Sequence, residues 1–508
     1  MQNQEIVLNA KDICKNFTGV KALKNINITL HRGEVRCLVG ENGCGKSTFV
    51  KIIAGVEQPT SGKIILNGNE YDKLSSEDAI REGVQVIYQD MSLFEHMTVA
   101  ENIAIAKIKQ EGNPVVSPKK IKKIAKEILD YIGVDIPLEL PVREISIANK
   151  QIVAICRALV LEARVLFMDE PTTALTKNEI DHLLDIMNGL KEKGIAIVFI
   201  SHKLDEVIRI CDTITVLRDG IKVGEFESGR VDEKTLVYYM TGREVLYNKY
   251  HRMENDNEMT LSLRNLSRIP HYSDINIDIR KGDIVGLIGL IGSGRTELAL
   301  SLFGMNPPDS GEIWVNNEKI NIGSPSDAVK AGIALVPEDR MKQGLFLGKA
   351  VDENIAAAVL DRMKRKCGNI DKRRMKEVAE DAVKGFSIKT TNIKTLLETL
   401  SGGNQQKVVL GKWNATKPQI MILDSPTVGV DVGSKAEIYN YIQKFACEGA
   451  SIIIITDEIP EVVANCNRVL IMFNGKLIYE ISDEQLKQDN ISKMISYMVE
   501  TGETQFEV

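Results

Sequence analysis

The sequence predicts an α/β protein in which one domain is written twice. Each copy is a mainly parallel sheet with helices packed on it and a helical subdomain inserted in its middle. Three observations predict this. First, two long stretches return in the same order: Gly55–Ile64, "GVEQPTSGKI", comes back as Gly304–Ile313, "GMNPPDSGEI", 249 residues later, and Val207–Phe226 comes back as Val462–Ile481, 255 residues later. A repeat of this length is a duplicated domain, not a solenoid. Second, apolar runs of strand length, such as "IAIVFI" (Ile195–Ile200) and "SIIIIT" (Ser451–Thr456), alternate with helical stretches, as in a sheet covered on both faces. Third, "VRCLVGENGCGKST" (Val35–Thr48) sets a glycine-rich loop between a strand and the helical run that follows, the context that a phosphate-binding loop requires.

Taken in chain order, the first copy spans 1–245 and the second 261–508. Between them, 246–260 is polar, mixed in charge and without helix or strand period, and reads as a linker. In the middle of the first copy, "PKKIKKIAKEILDYIGV" (Pro118–Val134) has helical spacing and marks the inserted subdomain.

Composition narrows the classes. The 508 residues are 44% hydrophobic and 26% charged, with a net charge of −6, an ordinary globular balance. An acidic total argues against a broad nucleic-acid surface. No run reaches the roughly 18 apolar residues that cross a bilayer, and the first residues lack the pattern of a secretory signal. A soluble, cytosolic chain is expected. The eight cysteines form no CxxC pair and read as reduced core residues.

The chemistry starts at Gly40-x4-Gly45-Lys46-Ser47. Its glycines let backbone N–H groups turn onto phosphate oxygens at the positive end of the next helix. Gly40, Glu41, Asn42, Gly43, Cys44, Gly45, Lys46, Ser47 and Thr48 are the expected nucleotide-binding residues, with Lys46 on the β- and γ-phosphates and Ser47 on magnesium. "VLFMDE" ends a second buried strand in Asp169, which can hold the metal, and Glu170, which can orient or deprotonate the attacking water. His202 stands at the end of a further strand, where an imidazole can sense the γ-phosphate. Cys44, at a helix N-terminus, is expected to favour its thiolate and to be sensitive to alkylation.

"LSGGNQQKVVL" (Leu400–Leu410) in the second copy discriminates further. With it the chain resembles the ABC ATPases, whose LSGGQ signature lies between the two Walker motifs. That resemblance implies that the signature of one domain closes over ATP held by the other. It assigns Ser401, Gly402, Gly403, Asn404 and Asp431 to the nucleotide, makes Gln89 the Q-loop glutamine that reaches the metal and the attacking water, and puts Phe17 against adenine. Two fused domains, "GLIGSGRTEL", "VPEDR…GL" and "LSGGNQQKV" are similar to the ATP-binding subunit of the ribose/galactose-type importers. This implies ATP and Mg2+ as cofactors, and as partners two membrane permease subunits and a periplasmic or surface-anchored sugar-binding protein, with no nucleic acid. It also implies a peripheral place on the cytoplasmic face of the membrane. A nucleoside importer's ATPase is the neighbouring alternative, and a soluble ribosome-associated tandem ABC protein a more distant one.

The copies differ where the chemistry is. Arg295 and Thr296 replace Lys46 and Ser47, Glu338 replaces Gln89, Ser425 replaces Glu170, and Asp457 replaces His202. Arginine keeps the charge but not the compact ammonium. The first copy is altered instead in its signature, "ISIANKQ", where Ile147 and Ala148 stand at Gly402 and Gly403, and Thr176 stands at Asp431. The expected outcome is one competent composite site, built from the first copy's Walker residues and the second copy's signature, and one degenerate site.

Overall fold

The computed structural model describes residues 5–112, 117–172, 175–201, 203–243, 249–252, 258–290, 292–365, 368–482, 485–488, 490–491 and 493–495. The chain divides into two compact units, Met1–Val245 and Leu246–Val508.

In the first unit a six-stranded sheet runs in the order Ile221–Glu227, Thr213–Arg218, Val35–Val39, Ala196–Ile200, Val165–Asp169, Val84–Ile87. All neighbours are parallel except the first two. Strands Val35–Val39 and Ala196–Ile200 are buried at every position, as a sheet covered on both faces requires. The order puts Val35–Val39, Ala196–Ile200 and Val165–Asp169 side by side. The loops leaving their C-terminal ends therefore converge, which is where open α/β sheets bind ligands.

Beside it lies a four-stranded antiparallel sheet, Val20–His31, Ile6–Phe17, Ser61–Leu66, Asn69–Tyr71. This sheet goes beyond the mainly parallel architecture that the sequence predicts. Its signal is there in Val20–His31, which alternates buried and outward residues along "LKNINITL".

The predicted inserted helix spans Pro118–Ile132. Ser117 caps it, Pro118 fills its first turn, and Gly133, at φ 79°, ends it in the left-handed region. It packs on the helices Val99–Glu111 and Ile147–Leu159. Only Ala125 and Leu129 of its residues are buried, so Leu129 anchors it, a contribution of about 2 kcal/mol.

The second unit repeats both sheets. Its six strands run Ile333–Val336, Ile420–Asp424, Ser451–Ile455, Ile284–Gly289, Arg468–Phe473, Lys476–Ser482, the first unit's order read from the other edge. Of the stretch read as a linker, residues 249–252 pack on this unit. Tyr250 is buried and donates to the Gly282 carbonyl at 2.7 Å, while Arg252 pairs with Asp283 at 3.3 Å. Strand Met259–Arg268 begins inside the same stretch.

Asp283 is wholly buried. It accepts from Arg280 N (2.9 Å), Asn467 Nδ2 (3.0 Å) and Arg468 Nη1 (2.8 Å). Burial alone would raise its carboxyl, but these bonds and the Arg468 charge hold it below the usual range. The stability it contributes is therefore complete above the unfolded-chain value of about 3.9 and disappears as pH falls through the lower folded value. Asp283→Ala leaves two guanidinium groups facing a buried gap and is expected to cost about 3 kcal/mol, read as a lower urea midpoint near neutral pH.

Among the described residues, no helix is long and apolar enough to cross a membrane. Cys37, Cys44, Cys156, Cys211 and Cys466 are buried, Cys14 is half-buried, and Cys447 is exposed, contrary to the expectation of a core position. Cys367 lies outside the described residues.

Candidate functional site

In the first unit, strand Val35–Val39 runs into the loop Gly40–Gly45, and the helix Lys46–Ile53 follows with Gly45 at φ 110° as its N-cap. A Cβ on Gly45 would lie 2.6 Å from Leu23 Cδ2 and 2.8 Å from Ala22 O, so only glycine brings this turn so close to the hairpin beside it. Lys46 folds over the loop and donates to Gly40 O (2.6 Å) and Glu41 O (3.0 Å). Both are neutral acceptors that the ammonium can exchange for phosphate oxygens.

The loop opens into a cleft of about 460 Å3, lined by Asn42, Gly43, Gly45, Lys46, Ser47, Thr48, Gln89, Asp169 and Glu170 among others. That is within the ~300–1,000 Å3 of ordinary small-molecule sites. Glu170 has a left-handed backbone, φ 49°, and its N–H donates to Ile200 O at 2.9 Å. Gln89 Nε2 donates to Glu170 Oε2 at 3.4 Å. Burial, and then the neighbouring Glu170 carboxylate, push the Asp169 carboxyl up, while Lys46 pulls it back. Two crowded carboxylates lining the same cleft as Ser47 form with its hydroxyl an oxygen donor set that a divalent cation would relieve, so these residues suit Mg2+.

Asn42, Gly43, Gly45, Lys46, Ser47 and Thr48 of the predicted loop are thus brought together with Gln89, Asp169 and Glu170, while Gly40, Glu41 and Cys44 do not line the cleft. Phe17 is half-exposed at the end of its strand, with the Lys15 ammonium 4.9 Å from its ring centroid, and the cleft's lining comes from its neighbour across the turn, Val20. His202 lies outside the described residues. Sequence reasoning missed Lys21, Lys24, Asp219 and Gly220, which line the same cleft. Lys24 N donates to Gly220 O at 2.8 Å and ties the hairpin to the turn after Thr213–Arg218. The cations of "GVKALKN" were the available signal. Cys44 corrects an expectation. It is buried, and burial pushes its thiol up, outweighing Lys46. The thiol is held above its ordinary range, against the expectation of a favoured thiolate.

The second unit repeats the backbone with different chemistry. Gly294, at φ 95°, caps the helix Arg295–Leu302. Ser425 has φ 47°, and its N–H donates to Ile455 O at 2.8 Å, the arrangement found at Glu170. Thr296 Oγ1 donates to Asp424 Oδ2 at 2.8 Å, and Arg295 pairs with Asp457 at 2.6 Å. Burial pushes the Asp424 carboxyl up to about 6. The Glu338 and Asp457 charges add to this, and the Thr296 bond and Arg295 oppose it.

Each signature opens a helix in its own unit. Ser401 stands at the N-cap position of Gly402–Asn414 without a side-chain capping bond, and Asn404 bridges Ser401 Oγ (2.9 Å) and Lys389 N (2.8 Å). The glycines there answer to packing: a Cβ on Gly402 would lie 2.8 Å from Arg340 Nη2 and 2.9 Å from Gly429 O, and one on Gly403 2.5 Å from Ser434 Oγ. Arg340 donates to Val428 O (2.5 Å) and Gly429 O (3.2 Å). This is a positioning role for "VPEDR" that the sequence alone did not reveal. Asp431 caps the helix Val432–Cys447 through Ser434 N at 2.8 Å. In the first unit Ser146 caps Ile147–Leu159 by accepting from Asn149 N at 3.2 Å, with Ile147 exposed, and Thr176 caps Lys177–Glu192.

The family model described as ABC transporter matches this chain twice, at residues 23–173 and 272–428. The chain belongs to the ABC transporter family. It is an ATPase of the ABC type, whose cofactors are ATP and Mg2+. Similar proteins include a ribose import ATP-binding protein of Agrobacterium fabrum, 41% identical over 92% of each chain. A ribose import ATP-binding protein of Streptomyces avermitilis is 39% identical over 96% of each. A galactose/methyl galactoside import ATP-binding protein of Photobacterium profundum is 37% identical over 96% of this chain and 99% of its own. The resemblance to the ribose/galactose-type importers' ATP-binding subunit therefore holds along nearly the whole chain.

Proposed function

We propose that this ABC ATPase energises import of a monosaccharide. In this reading it sits on the cytoplasmic face of the membrane, bound to two permease subunits that receive sugar from a periplasmic or surface-anchored binding protein. One composite ATP site would be competent, built from Lys46, Ser47, Gln89, Asp169, Glu170 and His202 with Ser401, Gly402, Gly403, Asn404 and Asp431. The other, with Arg295, Thr296, Glu338, Ser425 and Asp457 facing Ile147 and Ala148, would be degenerate.

The observation that carries this is the complementary pattern of losses. The unit that keeps lysine, glutamine and both acids in one cleft has the altered signature. The unit that keeps both signature glycines has replaced the lysine, the glutamine and the second acid. Random decay would not sort the losses by interface. The names of the full-length relatives support a sugar as cargo.

The test is uptake of labelled pentoses and hexoses in a strain lacking this chain, complemented by wild type or by Glu170→Gln. Loss of one sugar's uptake, restored by wild type alone, supports cargo and single site together. Restoration by Glu170→Gln would sink the single-site assignment. Unchanged sugar uptake with lost nucleoside uptake would move the cargo to nucleosides.

A further inference from the structure

The second unit's phosphate loop carries an anion of its own. Arg295 is buried, its side chain 9% exposed, and its Nη1 lies 2.6 Å from Asp457 Oδ1. The same guanidinium donates to Thr456 O and Leu290 O, both at 3.3 Å. In loops of this kind the cation at this position reaches the β- and γ-phosphates. Here a carboxylate of the chain already satisfies it, from the position where the first unit has His202. Lys46, by contrast, donates among the described residues to carbonyls of its own loop and to the Cys44 sulfur. The Glu338 and Asp457 charges both raise the Asp424 carboxyl, so negative charge accumulates around Asp424.

The inner part of the loop keeps an unused donor. Ser293, 4% exposed, has a hydroxyl with no hydrogen-bond partner among the described residues. It lies 2.8 Å from where a Cβ on Gly289 would stand, a point 2.2 Å from Met472 O. The backbone N–H groups that open Arg295–Leu302 supply the donors for the inner phosphate oxygens.

We propose that the Arg295–Asp457 ion pair makes the second loop a nucleoside-diphosphate site, which accepts the inner phosphates and turns away the γ-phosphate. Arginine for lysine and aspartate for histidine are then one device: the first leaves a charge, and the second uses it up. This rests on the degenerate reading of the second unit and says what that unit selects.

The test is equilibrium dialysis of the full chain carrying Glu170→Gln, with labelled ADP or ATP and Mg2+. Two equivalents of ADP should bind. The second equivalent of ATP should bind at least about tenfold more weakly than the second of ADP, an ordinary cost for like charges a few ångströms apart near a surface. Asp457→Asn should remove most of that difference, and Arg295→Ala should remove the second equivalent of either nucleotide. The proposal is overturned by a second ATP equivalent that already matches ADP with Asp457 present, or that ignores Asp457→Asn. A chain that binds one equivalent of either nucleotide also overturns it. None of these outcomes touches the importer reading, which the uptake experiment judges separately.

Discussion

Glu170→Gln is expected to lower ATP turnover by about 10²–10⁴-fold, the range a positioned general base contributes, while nucleotide binding stays near wild type. The substitution is isosteric. The left-handed backbone and the bond from Glu170 N to Ile200 O at 2.9 Å do not depend on the side chain, and an amide oxygen can still accept from Gln89. What disappears is the negative charge and its basicity, which the inferred mechanism needs to draw a proton from water. The converse variant, Ser425→Glu, is expected to add no turnover, although its backbone matches that of Glu170. Arg295 is held by Asp457, and the place of Gln89 is taken by Glu338. A phosphate-release assay on both variants decides the point. Turnover retained by Glu170→Gln, or created by Ser425→Glu, would falsify the single-site assignment.

Gly403→Val should be nearly as damaging, for a packing reason. Its first side-chain atom would lie 2.5 Å from Ser434 Oγ and 2.8 Å from Ser434 Cβ, closer than real side chains approach one another. Ser434 cannot simply rotate away, because its hydroxyl and N–H both bond to Asp431, at 2.9 and 2.8 Å. Relief requires moving the start of Gly402–Asn414 or the Asp431 cap, and both belong to the inferred signature surface. Overpacking of this kind costs about 1–3 kcal/mol, which a unit with so large a buried core should survive folded. The expected result is a soluble chain with ATP turnover lowered at least about tenfold, since that factor corresponds to only 1.4 kcal/mol in the transition state. Valine for Ala148 in the first unit should change turnover little. Equal losses from the two variants would count against assigning the competent site to the second signature.

The duplication, the parallel strands and the phosphate loop were legible because each leaves a local trace: an offset, an apolar run, a glycine spacing. Glu170 and Ser425 could be compared before any fold was known because they follow the same apolar strand and precede the same proline and threonine. The antiparallel sheet was less legible. Its long strands carry bulges and shifts of register that break the alternation by which strands are read.

The sequence by itself determined which side chains are present at each position of the two sites, and hence which unit keeps its lysine, glutamine and acid. Only the tertiary structure decided what they do to one another. Strands distant in the chain deliver Arg295 to Asp457 and Thr296 to Asp424, and burial raises the Cys44 thiol and the Asp424 carboxyl against the pull of the neighbouring cations. The physical reason is that charge and hydroxyl chemistry depend on distance and solvent exclusion. Neither is a property of sequence spacing, and both follow once the sheet order has set which loop ends meet.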